Sequence, residues 1–148
     1  MGLFSSAIKV TPVVSLPVAT AVIEAAKKKA EALGVPMNVA VVDEGANLVA
    51  FVRMDGAWLG SIEIARNKAY TARAFDMSTQ DLAKISQPGA PAYGIASSTD
   101  HKIAIFPGGV PLVVDGKVVG AVGASGGKPD QDHAVAEAGA GAFVPATK

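Results

Sequence analysis

Apolar side chains recur at helical spacing in several parts of the chain, and each part carries a recognisable helix start or stop. The first such segment follows Ser15, an expected N-cap, and ends at Gly34. Ser78 begins a capping-box pattern, and a proline opens the last segment. The pattern predicts helices over 15–33, Ser61 to about Phe75, Ser78–Ile85 and Pro129 to about Ala142.

Runs rich in β-branched residues separate these helices. Asp115-Gly116 lies between two valine-rich runs and favours a tight hairpin turn, because both residues tolerate positive φ. The first hairpin is expected to be buried on both faces or nearly so. The predicted strands are Asn38–Asp43, Leu48–Met54, Lys102–Phe106, Pro111–Asp115 and Lys117–Gly123. The expected fold is one α+β domain over residues 1–148, a five-stranded antiparallel sheet flanked by helices.

Composition excludes several classes of function. Thirteen basic and thirteen acidic side chains cancel, and no basic cluster beyond Lys27–Lys29 occurs, so nucleic acid is not expected as a partner. With no cysteine, the chain has no disulfide, iron–sulfur cluster or thiolate nucleophile. No apolar run reaches the roughly 20 residues of a membrane span. We expect a cytoplasmic location, because no basic start is followed by an unbroken apolar core, and a homo-oligomer, because the apolar content is high.

A glycine-rich loop precedes the last helix. Its glycine spacing does not match a P-loop, and Pro129 stands where such a loop needs a hydroxyl. A dinucleotide-binding fingerprint is excluded by spacing as well. Two interpretations stay open. The amides of Ser125, Gly126 and Gly127 could bind an anion, or the glycines could permit close packing while aspartates of the next helix supply the negative charge.

The last helix carries Asp130, His133 and Glu137 on one face. These residues could bind a divalent cation, or His133 could act as a general base assisted by Glu137. The alternative is a solvated first turn with an ordinary contact between His133 and Glu137, four residues apart.

A polar stripe follows one face of the second helix. It is either a water-facing surface or the lining of a cleft, in which case Arg66 and Arg73 would bind a carboxylate. His101, beside Asp100, is either a surface residue or a ligand donor. The stripe consists of Glu63, Arg66, Asn67, Tyr70 and Arg73.

Four blocks of sequence together resemble the GlcG/HbpS family, which is related to the C-terminal domain of PduO proteins. They are LGVPMNVAVVDEGANLVAFVRMDGA, the helix containing Lys68-Ala69-x-Thr71-Ala72, FPGGVPL and GAVGASGGKPDQD. The likeness extends from about Val13 to Phe143. It implies a profilin-like α+β domain that forms oligomers and binds haem or a related tetrapyrrole. No Glu-x-x-Glu pair is present, so the iron binding linked to that pair in a secreted relative is not expected.

Three hypotheses follow. In the first, haem occupies a pocket between the sheet and loops 54–61 and 123–130, with Arg66 or Arg73 meeting a propionate. The second is an isomerase, hydratase or hydrolase that acts on a small carboxylate or carbonyl compound, with His133 as acid or base. The third is an oligomeric accessory protein of such a pathway. The residues that could ligate haem iron are His101, His133, Tyr70, Tyr93, Met54 and Thr99.

Overall fold

The computed structural model describes residues 13–100 and 102–146. The predicted helices are all present, and their bounds agree with the sequence pattern within a few residues. In chain order the elements are α1 (Leu16–Leu33), β1 (Asn38–Val42), β2 (Leu48–Arg53), α2 (Ser61–Ala74), α3 (Thr79–Ser86), a 3₁₀ turn (Ile95–Ser97), β3 (Gly109–Val114), β4 (Lys117–Ser125) and α4 (Pro129–Gly141).

The strands form one antiparallel sheet in the order β2-β1-β4-β3. Asn38 lies opposite Ser125 and Ala40 opposite Gly123, so β1 begins beside the end of β4, at the glycine-rich loop. The central strand β1 is buried along its whole length, whereas the edge strand β2 is half-exposed. The expected burial of both strands of the first hairpin is therefore correct for β1 alone.

The prediction of five strands is wrong: the described residues form a four-stranded sheet. Residues 102–106, predicted as a strand, are irregular. The reason is Thr71 of α2, whose hydroxyl oxygen accepts from the amide of Ala104 at 2.9 Å and lies 3.1 Å from the carbonyl oxygen of Lys102, while its proton is shared with the nearer carbonyl of Asn67 at 2.7 Å. These backbone groups bond a helix side chain instead of a neighbouring strand, and the segment packs on α2 with Ile103 and Ala104 buried.

Helices cover both faces of the sheet, and α2 approaches its face closely. Val39 and Val41 of β1 point into a valine-rich core shared with α1 and α4. Ala40 and Val42 point the other way, into an alanine core against α2. A Cβ on Gly123 would collide with the backbone of Ala65 and Ala69, so a glycine is needed there for α2 to approach β4. The α2 face of the sheet is therefore the more tightly packed one.

The helix ends agree in part with the predicted caps. Ser15 occupies the N-cap position of α1 but makes no side-chain cap bond, and Gly34 ends that helix in the left-handed conformation at φ 69°. Ser78 caps α3 as predicted, because its hydroxyl accepts from the amide of Asp81. At α2 the N-cap is Gly60, and Ser61 is the first helical residue. None of the helices in the described ranges is long and apolar enough to cross a membrane.

Candidate functional site on the two charged faces of helix α2

The inner face of α2 contains a lysine that is removed from water. Ala65, Lys68, Ala69 and Ala72 follow the spacing of one helical face, and that face packs on the sheet. Lys68 is 0% exposed. Its ammonium group donates to Asp132 Oδ2 at 2.7 Å and to the carbonyl of Ala124 at 3.0 Å. Lys68 thus links α2 to the end of β4 and to the first turn of α4.

Asp132 completes this buried pair from the other side. Its second oxygen, Oδ1, accepts from the amides of Gly126 at 3.1 Å and Gly127 at 2.8 Å. Two of the three amides considered for anion binding, those of Gly126 and Gly127, are therefore already engaged by a side chain of the following helix. The second interpretation of the glycine loop, in which aspartate supplies the negative charge, describes this geometry.

Burial perturbs both partners of the pair. Desolvation lowers the pKa of Lys68, and the nearby Asp132 carboxylate opposes that shift. Desolvation likewise raises the pKa of Asp132, against the opposing effects of Lys68 and of the Gly127 and Gly126 amides. Both shifts disfavour the charged form, as expected where ions leave water.

Two further glycines make room for Lys68. A Cβ on Gly108 would lie 2.6 Å from Lys68 Nζ, and a Cβ on Gly109 would collide with the backbone carbonyl of Lys68. Gly108 also has a φ of 133°, which side chains rarely adopt. Just before them, the ring of Phe106 lies over Lys68 Nζ at 4.9 Å from its centroid. The FPGG segment is thus fitted around the buried amine.

The outer face of α2 lines a cleft of about 220 Å³. Arg66 comes from the helix and Lys102 from the irregular segment 102–106, and Lys102 Nζ lies 5.8 Å from the centre of the Tyr70 ring. Neither cation belongs to an ion pair within the described ranges. The lining residues are Val42, Ala46, Leu48, Glu63, Arg66, Asn67, Tyr70, Asp100 and Lys102.

Arg73, predicted to act with Arg66, lies outside this lining. Its Nε donates to the carbonyl of Glu44 at 2.7 Å, and its Nη1 contacts Asp76 at 2.6 Å. Arg73 therefore holds the β1–β2 turn against α2, and Arg66 is the arginine that faces the cleft. His101 lies outside the described residues; its sequence neighbours Asp100 and Lys102 both line the cleft.

Two of the three residues singled out on α4, His133 and Glu137, contact each other. His133 Nε2 lies 3.1 Å from Glu137 Oε1, the contact expected of residues four apart on a helix. His133 Nδ1 is buried without a hydrogen-bond partner among the described atoms. Within residues 13–100 and 102–146 no group of three His, Asp or Glu side chains could hold a metal ion, so Asp130 does not complete a metal centre with them.

Two other candidate haem ligands lie away from the cleft. The sulfur of Met54 accepts from the amide of Met37 at 3.4 Å, and Tyr93 is exposed. Met54 does line a second, more open groove of about 380 Å³, between α1 and the end of β2. Its other lining residues are Lys27, Glu31, Val52, Arg53 and Asp55. Neither cavity includes residues from loop 123–130, where the sequence had predicted one wall of the pocket.

The fold and the cleft define a small α+β protein with a four-stranded antiparallel sheet and a polar cleft beside helix α2. The chain belongs to the HbpS-like family: the model of the family described as "Haem degrading protein HbpS-like" matches residues 14–141. The family predicted from the sequence blocks is thereby confirmed.

Relatives and solved structures agree with this membership. The chain is 42% identical over 130 residues to an uncharacterised 15.0 kDa protein encoded between dhaT and dhaS in Citrobacter freundii, covering 83% of this chain and 92% of that protein. It is similar to the crystal structure of Klebsiella pneumoniae ORFY, at 34% identity and a TM-score of 0.86, covering 96% of this chain and 97% of that one. It is also similar to the crystal structure of a PduOC–haem complex, at 36% identity and a TM-score of 0.84, covering 90% and 96%.

Proposed function

We propose that this protein binds haem or a related tetrapyrrole in the cleft on the outer face of α2. The observation that carries the proposal is that two cations, Arg66 and Lys102, line one cleft and form no ion pair with any described carboxylate, including Glu63 and Asp100 of the same lining. Haem has two propionates, and guanidinium and ammonium groups are the side chains that bind carboxylates.

The rest of the cleft suits one edge of a tetrapyrrole. Val42, Ala46 and Leu48 provide an apolar wall, and Leu48 is 46% exposed, so it offers surface for a ring to cover. At about 220 Å³ the cleft is smaller than the roughly 300–1,000 Å³ of pockets that enclose a ligand. The ring is therefore only partly enclosed by one chain.

Tyr70 is the described cleft residue that can ligate iron, as a phenolate. His101 is the second candidate, because the residues on both sides of it in the sequence line the cleft. When bound, haem would supply an iron centre that exchanges electrons and binds small ligands. The chain's own groups would bind the propionates and orient the ring.

Family membership supports the same ligand. The HbpS-like family is described as haem-degrading, and the similar PduOC structure is a complex with haem. The enzyme hypothesis would use the Ser125, Gly126 and Gly127 amides for an anionic substrate, and two of these three amides hold Asp132 instead. Haem binding is therefore the function that the geometry supports best. A role as an accessory protein of a pathway stays a prediction.

A homo-oligomer in the cytoplasm is the setting that we propose. Trp58 and Leu59 are 65% and 75% exposed and adjacent in the chain, and large apolar side chains of this kind are commonly covered by a second copy. Light scattering of the purified protein tests the assembly, and fractionation of native cells tests the location.

The test of the proposal is an absorption titration of the purified protein with haemin. We expect a saturable Soret band, and we expect metal-free protoporphyrin IX to compete, because the propionates and the ring contribute binding of their own. Tyr70→Phe should move the Soret maximum if Tyr70 ligates the iron, and His101→Ala should move it if His101 does. A haemin signal that rises linearly without saturation would overturn the proposal.

A further inference from the structure

Lys68 and Asp132 form a buried acid–base pair that haem binding does not use. Their side chains are 0% and 5% exposed, and Nζ lies 2.7 Å from Oδ2. Imine formation needs two groups in this relation: an amine nucleophile and a neighbour that accepts a proton and later returns it. Neither Lys68 nor Asp132 lines the Arg66 cleft, so the pair is a separate location in the fold.

An aromatic ring covers one side of the Lys68 amine. Phe106 lies over Nζ at 4.9 Å and is itself 40% exposed. It belongs to the irregular segment after residue 101, whose backbone near Ala104 is held by the side chain of Thr71. Gly108, two residues later, adds no side chain beside Nζ. A displacement of the Phe106 side chain would therefore uncover that side of the amine, and Phe106 is not part of a strand.

We propose that Lys68 is a second, covalent binding site of this protein, at which a small aldehyde or ketone forms an imine with Nζ. Lysine in a desolvated position is the residue type that forms such imines in proteins. Burial lowers the pKa of Lys68 and raises that of Asp132, and both directions favour transfer of a proton from the amine to the carboxylate. The site excludes charged carbonyl compounds, because its own two charges already balance.

The chemistry closes with the groups in place. Lys68 gives one proton to Asp132 Oδ2, and the neutral amine adds to the carbonyl carbon. A proton then moves from nitrogen to the former carbonyl oxygen, and Asp132 returns its proton to that hydroxyl, which leaves as water. The product is a protonated imine paired with the Asp132 carboxylate. Throughout, the Gly126 and Gly127 amides hold Oδ1 of that carboxylate.

Reductive trapping tests the proposal. The protein is incubated with acetaldehyde and cyanoborohydride at about pH 6, where exposed lysines are almost entirely ammonium, and ethylated lysines are located by peptide mass mapping. We expect Lys68 to be ethylated ahead of the exposed Lys28, Lys29 and Lys84. Phe106→Ala should raise the Lys68 rate about tenfold, since it removes the contact that keeps the amine covered. Tyr93→Ala, which removes an exposed ring elsewhere, should leave that rate unchanged.

Asp132→Asn separates the acid–base step from simple exposure. It keeps an oxygen for the glycine amides but cannot protonate the leaving hydroxyl. Loss of water then slows, so we expect Lys68 labelling to fall even though the lower pKa leaves more of the amine neutral, in a variant that circular dichroism shows to be folded. Ethylation of the exposed lysines with Lys68 unmodified, in both the wild type and Phe106→Ala, would overturn the proposal. Haemin titration of the wild type is independent of this result.

Discussion

Helix α2 carries Arg66 and Lys68 two residues apart, and the two cations have opposite surroundings. Lys68 is 0% exposed and meets a carboxylate, a backbone carbonyl and an aromatic ring. Arg66 is exposed, lines a cleft and has no ion-pair partner in the described ranges. A charge that leaves water must be matched locally, so it becomes part of the structure, whereas a charge that stays at the surface keeps its capacity for a ligand. The inner face of α2 therefore carries a stabilising ion pair that also forms the proposed imine site, and the outer face carries the cation proposed to bind a haem propionate.

The largest effect is expected from Asp132→Ala. This change leaves the Lys68 ammonium buried without its carboxylate, which costs about 3–5 kcal/mol in other proteins. We expect the free energy of unfolding, measured by urea denaturation, to fall by that amount.

Asp130→Ala is the matched control, because Asp130 is an exposed aspartate in the same first turn of α4. It loses only an interaction with the helix dipole and should cost less than about 1 kcal/mol. Equal losses for the two variants would show that burial of the Lys68–Asp132 pair has no special importance.

A smaller loss is expected when the inner face is pushed away from the sheet. Gly123→Ala adds a Cβ against the backbone of Ala65 and Ala69, and such overpacking costs about 1–3 kcal/mol. Gly141→Ala is the control, since a Cβ there meets nothing within 4 Å. That change should be neutral or stabilise the helix by up to about 1 kcal/mol. Thermal unfolding of both variants checks the contrast, and a neutral Gly123→Ala would refute the close approach of α2.

The pH dependence of the stability of Asp132→Asn tests the role of the buried Lys68–Asp132 pair. Without the carboxylate, desolvation acts alone and the pKa of Lys68 falls further than in the wild type. Between that lowered pKa and the unfolded value of about 10.4, the unfolded chain binds more protons than the folded one, so stability rises with pH. The stability deficit of the variant should therefore narrow as the pH rises toward the unfolded pKa of about 10.4. A deficit that does not change with pH would mean that loss of the carboxylate does not lower the pKa of Lys68 further.

Local pattern predicted the four helices and four strands, and it failed where a distant side chain decides the outcome. Residues 102–106 have the composition of a strand, but Thr71, more than 30 residues earlier, takes their backbone hydrogen bonds. The residues near 102–106 in the sequence carry no pattern that predicts a contact with Thr71.

The sequence likewise predicted the residues of the site that lie on one helix but not their contacts with distant parts of the chain. The outer stripe of α2 was visible from helical spacing, and Arg66 does face a cleft. Lys68 also stood at an inward position between Ala65 and Ala72, a signal that could have been read, since lysine is rarely buried unless it is paired. Its partner could not be found that way, because Asp132 lies 64 residues further along the chain. For the same reason, glycine spacing excluded a nucleotide-binding loop but could not show that the Gly126 and Gly127 amides donate to Asp132.

The smallest effect is expected for Arg66, on the outer face of α2. Its role in ligand binding is tested most directly by a haemin titration of Arg66→Gln beside Arg53→Gln. Arg53 is an exposed arginine that lines the other groove, so the two variants lose the same charge at different places. An exposed ion pair contributes up to about 1 kcal/mol, so Arg66→Gln should weaken haemin binding about fivefold and Arg53→Gln should leave it unchanged. Weaker binding in Arg53→Gln with none lost in Arg66→Gln would contradict the assignment of the ligand to the outer face of α2.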